Sequence, residues 1–456
     1  MARDMTRGRP SKILITFAFS ILTSSILNYV YNATDSAMVS YFVDKHALGA
    51  ISSITPTITL IQGLLLGLLS GFSITISRAF GAKLKEKMKK ALANGIFIAF
   101  LIVVPIMIIS FFAASPITYA MNVPEQFRGD AIAYFLVIIL ALPISGTSWM
   151  CAGLFRAFGD SRTPMIISAC CGALNVFFNY VFLAIIPLGV AGAAIGTVCA
   201  SAIGTVIYLV VLLRTTPEIK FKLADIRPRS ALIKELLNDG IALAMLDFVV
   251  SAGQVVLQRA INSFEPAVIT GVAAGSKLVN LLWLISCALE SALIYFCSQN
   301  AGAGEIGRIK QGIKANLIIT TVVVSLCVAA ILIFCEPLLR IFIGSGIDAD
   351  TSSTISHATT FIITQVVFLP AIILMSGLRG AARGLGSAVP TVACGVIELV
   401  ARIGVTMMCE LSAFAEDIKI KILYLAGPAA WVGAVIMLAI ILPGTLKRKE
   451  IQVSQH

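Results

Sequence analysis

Long apolar stretches follow one another along nearly the whole chain. They recur about a dozen times, near residues 13–40, 48–80, 92–114, 130–154, 164–187, 189–213, 237–262, 268–298, 315–336, 354–378, 389–411 and 422–444. A helix needs about 20 apolar residues to cross a bilayer, whereas a barrel strand needs strict apolar/polar alternation, which these stretches lack. The pattern therefore predicts an all-α membrane protein with twelve transmembrane helices.

The composition agrees with this prediction. Of 456 residues, 58% are hydrophobic and only 12% are charged, whereas soluble domains average about 25% charged residues. Four basic residues precede an apolar stretch far longer than a signal-peptide core, so we expect no cleavable signal peptide. We expect a multi-pass protein of the cell (inner or plasma) membrane.

The basic residues concentrate in alternate loops. Clusters lie at the N-terminus, after the second stretch (Arg78–Lys90), in the central segment 214–235 and in the tail Lys447–Lys449. Membrane proteins retain such clusters in the cytoplasm. The basic residues behind the net charge of +11 therefore determine the topology, in which we expect both termini to be cytoplasmic. They do not indicate a nucleic-acid partner.

The residues of several enzyme and metal-site classes are missing. Ten cysteines and three histidines show no metal-binding spacing. The segment Gly271–Lys277 only approaches a phosphate-binding loop, and no HExxH pattern exists. We expect neither an enzyme nor a bound cofactor.

The two halves of the chain repeat each other. The sequence Ala301–Gln311 repeats the pattern of Phe80–Lys90. Likewise, Arg383–Pro390 repeats the pattern of Arg156–Pro164 and is one residue shorter. We predict an N-lobe (1–213, six helices), a cytoplasmic linker (214–235) and a C-lobe (236–456, six helices). Two consecutive repeats that each contain an even number of spans have the same orientation in the membrane. The six-helix lobes should therefore be related by a pseudo-two-fold axis along the membrane normal.

Asp35 lies near the end of the first apolar stretch. A carboxylate in hydrocarbon costs roughly 2.5–3.5 kcal/mol, so such acids usually serve an ion or substrate pathway. Snorkelling to the interface and pairing with a neighbouring helix are the alternatives. Tyr31 and Asn32, close to Asp35, are candidates to line a substrate cavity, as are the acids Asp247 and Glu290.

Glu398 and Arg402 lie four residues apart on the eleventh predicted helix. This spacing places both side chains on one helix face. We predict that they form a structural ion pair inside the membrane.

The order, spacing and duplication of these segments resemble the multidrug and toxic compound extrusion (MATE) family, particularly its bacterial branch. The segments that carry the resemblance are Asp35–Val39, Gly81-Ala82, Gly302-Ala303, Arg156–Pro164, Asn175–Asn179, Gly192–Thr197 and Arg383–Pro390. The resemblance implies a secondary active multidrug efflux transporter. Such a transporter exchanges lipophilic organic cations (drugs or dyes) for protons or sodium ions by alternating access, and we expect a monomer in the lipid bilayer.

The resemblance also assigns the cation- or proton-binding role to Asp35, Asn175, Asn179 and Thr197. One carboxylate, two amide oxygens and a hydroxyl suit a hard cation such as Na⁺, or a protonatable acid in a hydrogen-bond network. The alternative is that these groups only join helices by hydrogen bonds, worth about 0.6 kcal/mol each.

The chain departs from the family pattern in three places. Ser20 and Ala242 replace prolines common in the first and seventh helices, and Phe361–Ser376 lacks the tenth-helix acid of one branch. A C-lobe sodium site of that type is therefore not expected, and Pro370 is the expected breaking point of the tenth helix. The alternative function is a lipid-linked oligosaccharide flippase of the same superfamily, which uses arginines to hold pyrophosphate.

Overall fold

The structure, a computed structural model, describes residues 4–43, 45–121, 123–216, 226, 230–343 and 349–454. Every regular element in these ranges is helical, as the apolar pattern predicts. A π-helical turn, Val181–Ile185, extends the seventh helix. In chain order the α-helices are α1 (Pro10–Phe42), α2 (Lys45–Gly81), α3 (Lys85–Phe112), α4 (Ala114–Ala120), α5 (Glu125–Leu140), α6 (Leu142–Ala157), α7 (Arg162–Tyr180), α8 (Gly189–Thr215), α9 (Ser230–Ile261), α10 (Pro266–Gly302), α11 (Ile306–Ile333), α12 (Cys335–Ile343), α13 (Ala349–Val367), α14 (Leu369–Gly384), α15 (Ala388–Leu411), α16 (Glu416–Tyr424) and α17 (Ala426–Ser454).

The described helices supply the predicted number of membrane spans. Ten are long and apolar enough to cross a membrane, and two bent helix pairs, α5 with α6 and α13 with α14, bring the number to twelve. The bounds of these helices follow the predicted apolar stretches, because an apolar run of this length has its lowest free energy as a helix in the hydrocarbon layer. The prediction of an all-α, twelve-helix membrane protein is confirmed.

Both bent spans break just before a proline. The helix axis turns by 49° between α5 and α6 and by 52° between α13 and α14. Pro143 and Pro370 each occupy the first turn of the second half-helix. A proline is tolerated there because the N–H it lacks has no partner within the helix anyway. The break at Pro370 was predicted from the sequence, and the break at Pro143 was not.

The chain packs as two compact units. Unit 1 comprises Met1–Met5 and Phe19–Ala244, and unit 2 comprises Thr6–Ala18 and Met245–His456. The division differs from the predicted lobes, because it falls inside α9 at residue 244 and assigns the start of α1 to unit 2. Most of the predicted linker (217–225 and 227–229) lies outside the described residues.

Glycines on α2 and α9 explain why the first half of α9 belongs to unit 1. A Cβ atom at Gly67 would lie 2.8 Å from the backbone of Ala244, and one at Gly71 would overlap Gly240. Glycines four apart let two helix backbones approach closely, as small residues do in membrane helix pairs. The crossing is reinforced by Asp239, which accepts hydrogen bonds from Thr75 Oγ1 (2.6 Å) and from Arg78.

The sequence repeat is visible in the local structure. The turn after α6 places Gly159 at φ 76°, and the turn after α14 places Gly386 at φ 68°. In both turns the glycine N–H bonds to the carbonyl of the arginine three residues earlier, at 3.0 Å from Arg156 O and 3.0 Å from Arg383 O. Glycine suits this position because it has no Cβ to resist a positive φ.

Candidate functional site

The four residues assigned to cation binding come together inside unit 1. Asp35 on α1 accepts a hydrogen bond at Oδ1 from Nδ2 of Asn179 on α7. Asn175, one turn earlier on α7, donates from Nδ2 to the hydroxyl of Thr197 on α8 at 3.1 Å. The side chains of Asn175 and Thr197 also interact with the Asp35 carboxylate. Three helices therefore contribute to one polar cluster, which we call the Asp35 site.

The local sequence explains this arrangement. Asn175 and Asn179 share one face of α7 because they are four residues apart. Gly196 on α8 faces Asn179, and a Cβ there would lie 3.1 Å from the backbone nitrogen of Asn179 and closer still to its Oδ1. The π-helical turn begins two residues after Asn179, and such turns often occur beside functional residues. Gly196 belongs to a motif quoted above, but its steric role was not foreseen.

The Asp35 site contains unused oxygen atoms. Asn175 and Asn179 are 2% and 0% exposed, and the Oδ1 atom of each has no hydrogen-bond partner among the described residues. A buried acceptor without a partner costs free energy, so such a group needs an explanation. Both asparagines belong to the same cluster as the Asp35 carboxylate, and a cation or an acid proton held there would supply what their oxygens lack.

The donor set limits what the site can hold. Asp35 contributes one negative charge, while the amides and the Thr197 hydroxyl contribute neutral oxygens. Oxygen-only ligands favour hard cations, and one negative charge balances one positive charge. The residues present therefore fit a proton or a monovalent ion such as Na⁺.

Two tyrosines extend the polar surroundings of Asp35. Tyr31 on α1 and Tyr134 on α5 both interact electrostatically with the carboxylate. Tyr31, Asn175 and Thr197 also line a cavity of about 380 Å³. Tyr134 was missed from the sequence because one tyrosine in an apolar helix gives no distinguishing signal. Asn32 is exposed and donates to Asn28 O of its own helix at 2.8 Å, so it stands apart from the site.

Unit 2 contains a buried network of charges. Glu290 (3% exposed) accepts two hydrogen bonds from Arg379, at 2.9 and 2.7 Å, and one from Arg383 at 3.1 Å. Glu398 (0% exposed) pairs with Arg379 at 3.2 Å and with Arg402 at 3.2 Å. Asp247, which is half-buried, interacts electrostatically with Arg383, Arg379 and Glu290.

The network assigns arginine partners to the two buried glutamates of unit 2. Sequence spacing related Glu398 to Arg402, but Arg379 was not considered. Its partner Glu290 lies 89 residues away in the chain, and no local pattern reveals such a pairing. Glu290, predicted as a cavity residue, has its carboxylate committed to two arginines, because a buried carboxylate needs compensating charge.

Comparison with known proteins agrees with the fold. The family model MatE matches residues 20–181 and 242–408. The chain is 24% identical over 446 residues to the probable multidrug resistance protein NorM of Thermotoga maritima, covering 96% of this chain and 91% of that protein. It is 23% identical over 325 residues to the multidrug export protein MepA of Staphylococcus saprophyticus, covering 71% of each.

A solved structure has the same fold. The crystal structure of MATE in complex with MaL6 superposes with a TM-score of 0.87 at 16% identity, covering 99% of both chains. Together with the family match over most of the chain, this likeness confirms the resemblance drawn from the motifs. The chain belongs to the MatE family of membrane transport proteins.

Proposed function

We propose that this protein is a secondary active multidrug transporter, which expels lipophilic organic cations in exchange for protons or sodium ions. The named relatives are multidrug resistance and export proteins, and their activity is the basis for the substrate class. The coupling ion acts at the Asp35 site. The substrate is a small molecule, and the transporter works as a monomer without a cofactor.

One observation carries the ion-coupling part of the proposal. Asp35 shares a cluster with two buried asparagines, and the amide oxygen of each asparagine has no hydrogen-bond partner in the described part of the chain. Each unused buried acceptor costs about 1–3 kcal/mol, so a network whose only role was to join helices gives no reason for two of them in one cluster. An occupant that is present for part of a cycle accounts for them.

Coupling follows from unequal binding of the ion in two conformations. An ion that bound both access states equally would shift neither population and would drive nothing. Asp35 lies on α1 and its partners on α7 and α8, so relative movement of these helices changes the number of oxygens around the ion. The ion therefore favours the conformation in which the three helices converge.

The orientation in the membrane rests on the loop charges. The basic clusters around Arg78–Lys90 and in the tail support cytoplasmic termini in the cell membrane. Cysteines placed at Lys85 and Glu265, in a background without native cysteines, test this topology. We expect labelling from opposite sides of the membrane, and labelling of both from one side contradicts it.

The flippase alternative has less support. A pyrophosphate group needs several uncommitted cations, whereas Arg379, Arg383 and Arg402 share two buried glutamates. Transport of a lipid-linked oligosaccharide, with no movement of organic cations, would nevertheless favour it.

Reconstituted transport tests the proposal. Purified protein in liposomes should move a fluorescent organic cation such as ethidium without ATP when a proton or a sodium gradient is imposed, and imposing the two separately identifies the ion. Asp35→Asn should abolish gradient-driven transport, and Asn179→Ala should weaken it. Ser36→Ala is the matched control, because that exposed hydroxyl donates only to Asn32 O of its own helix.

Two results would overturn parts of the proposal. The antiport proposal is contradicted if transport requires ATP, or if none of a panel of cationic dyes is transported. If Asp35→Asn transports with wild-type coupling at equal protein level, Asp35 has no part in the mechanism. The proposed transport function would remain.

A further inference from the structure

Unit 1 contains an apolar crevice between α3 and α8, with a volume of about 870 Å³. The floor is formed by α6, with the buried residues Gly146, Met150 and Leu154. The two sides are formed by α3 and α8, whose side chains Phe100 and Leu213 are exposed at the rim. The volume lies within the range of cavities that hold an organic ligand. The crevice is therefore large enough to hold a molecule from the surrounding membrane.

The crevice and the cavity beside the Asp35 site lie on opposite faces of α6. Gly146, Met150 and Leu154 line the crevice, whereas Trp149 and Ala152 line the cavity of about 380 Å³. This alternation follows the helical period, which turns residues three and four apart to the same side. The crevice is therefore a second surface of unit 1, separated from the cation site by the thickness of a helix.

One end of the crevice is polar and basic. This end is lined by Arg214 and Thr216, at the end of α8. Because α8 is long and apolar enough to cross the membrane, its last turn lies at a membrane surface. Of the described residues that line the crevice, Arg214 is the one with a charge. It is exposed and pairs with no carboxylate in the described part of the chain, so its guanidinium is available to a ligand.

A second cation lies at the same membrane surface. Lys89 precedes Leu92, which lines the crevice, by three residues and therefore shares its face of α3. Four spans separate the start of α3 from the end of α8, so both points lie on one side of the membrane. Lys89 Nζ is 3.5 Å from Oε1 of Glu86, a mostly exposed side chain, and such a pair is weak. The basic end of the crevice therefore combines charge from two helices.

We propose that this crevice binds a phospholipid with an anionic headgroup. The acyl chains lie in the apolar part, against α6, and the phosphate accepts hydrogen bonds from the Arg214 guanidinium, whose planar fork matches a phosphate. Basic pockets between transmembrane helices bind anionic headgroups in this way. A zwitterionic lipid brings an ammonium group, which Arg214 and Lys89 repel. The proposal concerns a face of α6 away from Asp35, so it goes beyond the proposed cation antiport and does not depend on it.

Titration of lipids into the delipidated full-length protein in detergent, read by native mass spectrometry, tests this assignment. The first molecule of dioleoyl phosphatidylglycerol should bind at least about fivefold more tightly than dioleoyl phosphatidylcholine, which has the same chains, as attraction to one basic residue implies. Glycerol phosphate, which carries the phosphate without chains, should not compete. Equal affinity for the two lipids overturns the proposal, as does competition by glycerol phosphate.

Two substitutions at exposed positions separate the headgroup contact from the chain contact. Arg214→Gln should weaken phosphatidylglycerol binding by about fivefold and leave phosphatidylcholine binding unchanged. Thr147 lies on α6 and lines the crevice. Thr147→Phe fills space that the chains need, so it should weaken binding of both lipids by about tenfold, as loss of about two buried methylene groups implies.

Matched control variants lie outside the crevice. Arg448→Gln removes an exposed arginine near the end of α17. Thr321→Phe changes an exposed threonine of α11 whose hydroxyl, like that of Thr147, donates to a carbonyl four residues earlier, at 2.8 and 2.7 Å respectively. Both controls should bind phosphatidylglycerol as the wild type does. Wild-type affinity in either Arg214→Gln or Thr147→Phe overturns the assignment, and so does an equal loss in a variant and its control.

Discussion

Lys83 and Gly304 occupy equivalent positions in two duplicated turns, and both adopt a left-handed backbone, with φ of 58° and 75°. The N–H of each bonds to the carbonyl three residues earlier, Lys83 to Phe80 O at 3.0 Å and Gly304 to Ala301 O at 3.2 Å. Lys83 is the only non-glycine with a positive φ in the described part of the chain. The first copy therefore carries backbone strain that the second avoids.

Replacing Lys83 by glycine should stabilise the protein. A side chain in the left-handed region costs about 1–2 kcal/mol, and the greater chain entropy of unfolded glycine offsets part of the gain, leaving about 0.5–1 kcal/mol. Thermal unfolding of the purified protein in detergent measures the shift. Gly304→Ala, the reciprocal change, should lower Tm. A lower Tm for Lys83→Gly would mean that the lysine side chain stabilises the turn by more than the strain costs.

Removing Glu398 should strongly destabilise unit 2. Glu398→Ala leaves Arg402 without its carboxylate and deprives Arg379 of one of two partners, and breaking a buried ion pair in this way costs about 3–5 kcal/mol. The matched control is Glu336→Ala, which breaks the exposed pair with Arg340 and should cost less than about 1 kcal/mol. Similar Tm values for the two variants contradict the view that the buried network stabilises unit 2.

The sequence predicted what depends on local pattern. Long apolar runs located the twelve spans, and Pro370 located one of two bends. The spacing of Glu398 and Arg402 placed both on one face, where the structure pairs them at 3.2 Å. The residues of the Asp35 site were assigned by resemblance, since nothing local relates Asp35 to Asn179, 144 positions away.

What the sequence missed depends on tertiary packing. Arg379 lies near the end of an apolar helix, like a basic residue at a membrane surface, and its pairing with Glu290 requires two distant helices. The approach of Tyr134 to Asp35 is equally non-local. The crossing of α2 and α9 rests on Gly67, Gly71 and Gly240, and small residues are frequent throughout membrane helices, so their presence did not single out this contact.

Asp239 should be essential for attaching α9 to α2. The carboxylate is 3% exposed and accepts hydrogen bonds from Thr75 and Arg78. Asp239→Ala leaves both donors without this partner, and we expect a loss of about 2–4 kcal/mol. Glu235→Ala is the milder comparison, because Glu235 is more exposed and its bonds to Arg78 and Lys87 are 3.3 and 2.9 Å. Equal stability losses in the two variants contradict a special role for Asp239.

Asp160 should stabilise the start of α7 only above acidic pH. Burial acts to raise the pKa of this carboxyl, but hydrogen bonds, with the Thr163 backbone N–H foremost, outweigh it and lower the pKa. Oδ1 accepts from the N–H groups of Arg162 and Thr163 at 3.0 Å each, and Oδ2 accepts from the Thr163 hydroxyl at 2.8 Å.

Because the folded pKa lies below the unfolded value, this contribution is fully present above the unfolded pKa and is lost as pH falls through the folded pKa. Asp160→Ala should lower stability at neutral pH by about 1 kcal/mol, the usual value of such a cap. The difference in Tm from wild type should shrink as the solution is acidified below about pH 4. A difference that does not change with pH would mean that the carboxylate charge is not what stabilises the helix start.

Gly196→Ala should impair the Asp35 site without removing any of its polar groups. The added methyl group would press on the Asn179 side chain, which donates to Asp35, so Asn179 must move away from the carboxylate or α8 must move away from α7. Gly204→Ala is the matched control, because its methyl group would press on the Cys171 Sγ atom, also between α7 and α8. Both substitutions should lower Tm, whereas only Gly196→Ala should lower gradient-driven efflux of ethidium from liposomes at matched protein level. The same loss of efflux in both variants would attribute it to crowding of the helix pair, and unimpaired efflux in Gly196→Ala would show that the Asn179–Asp35 contact is not needed for coupling.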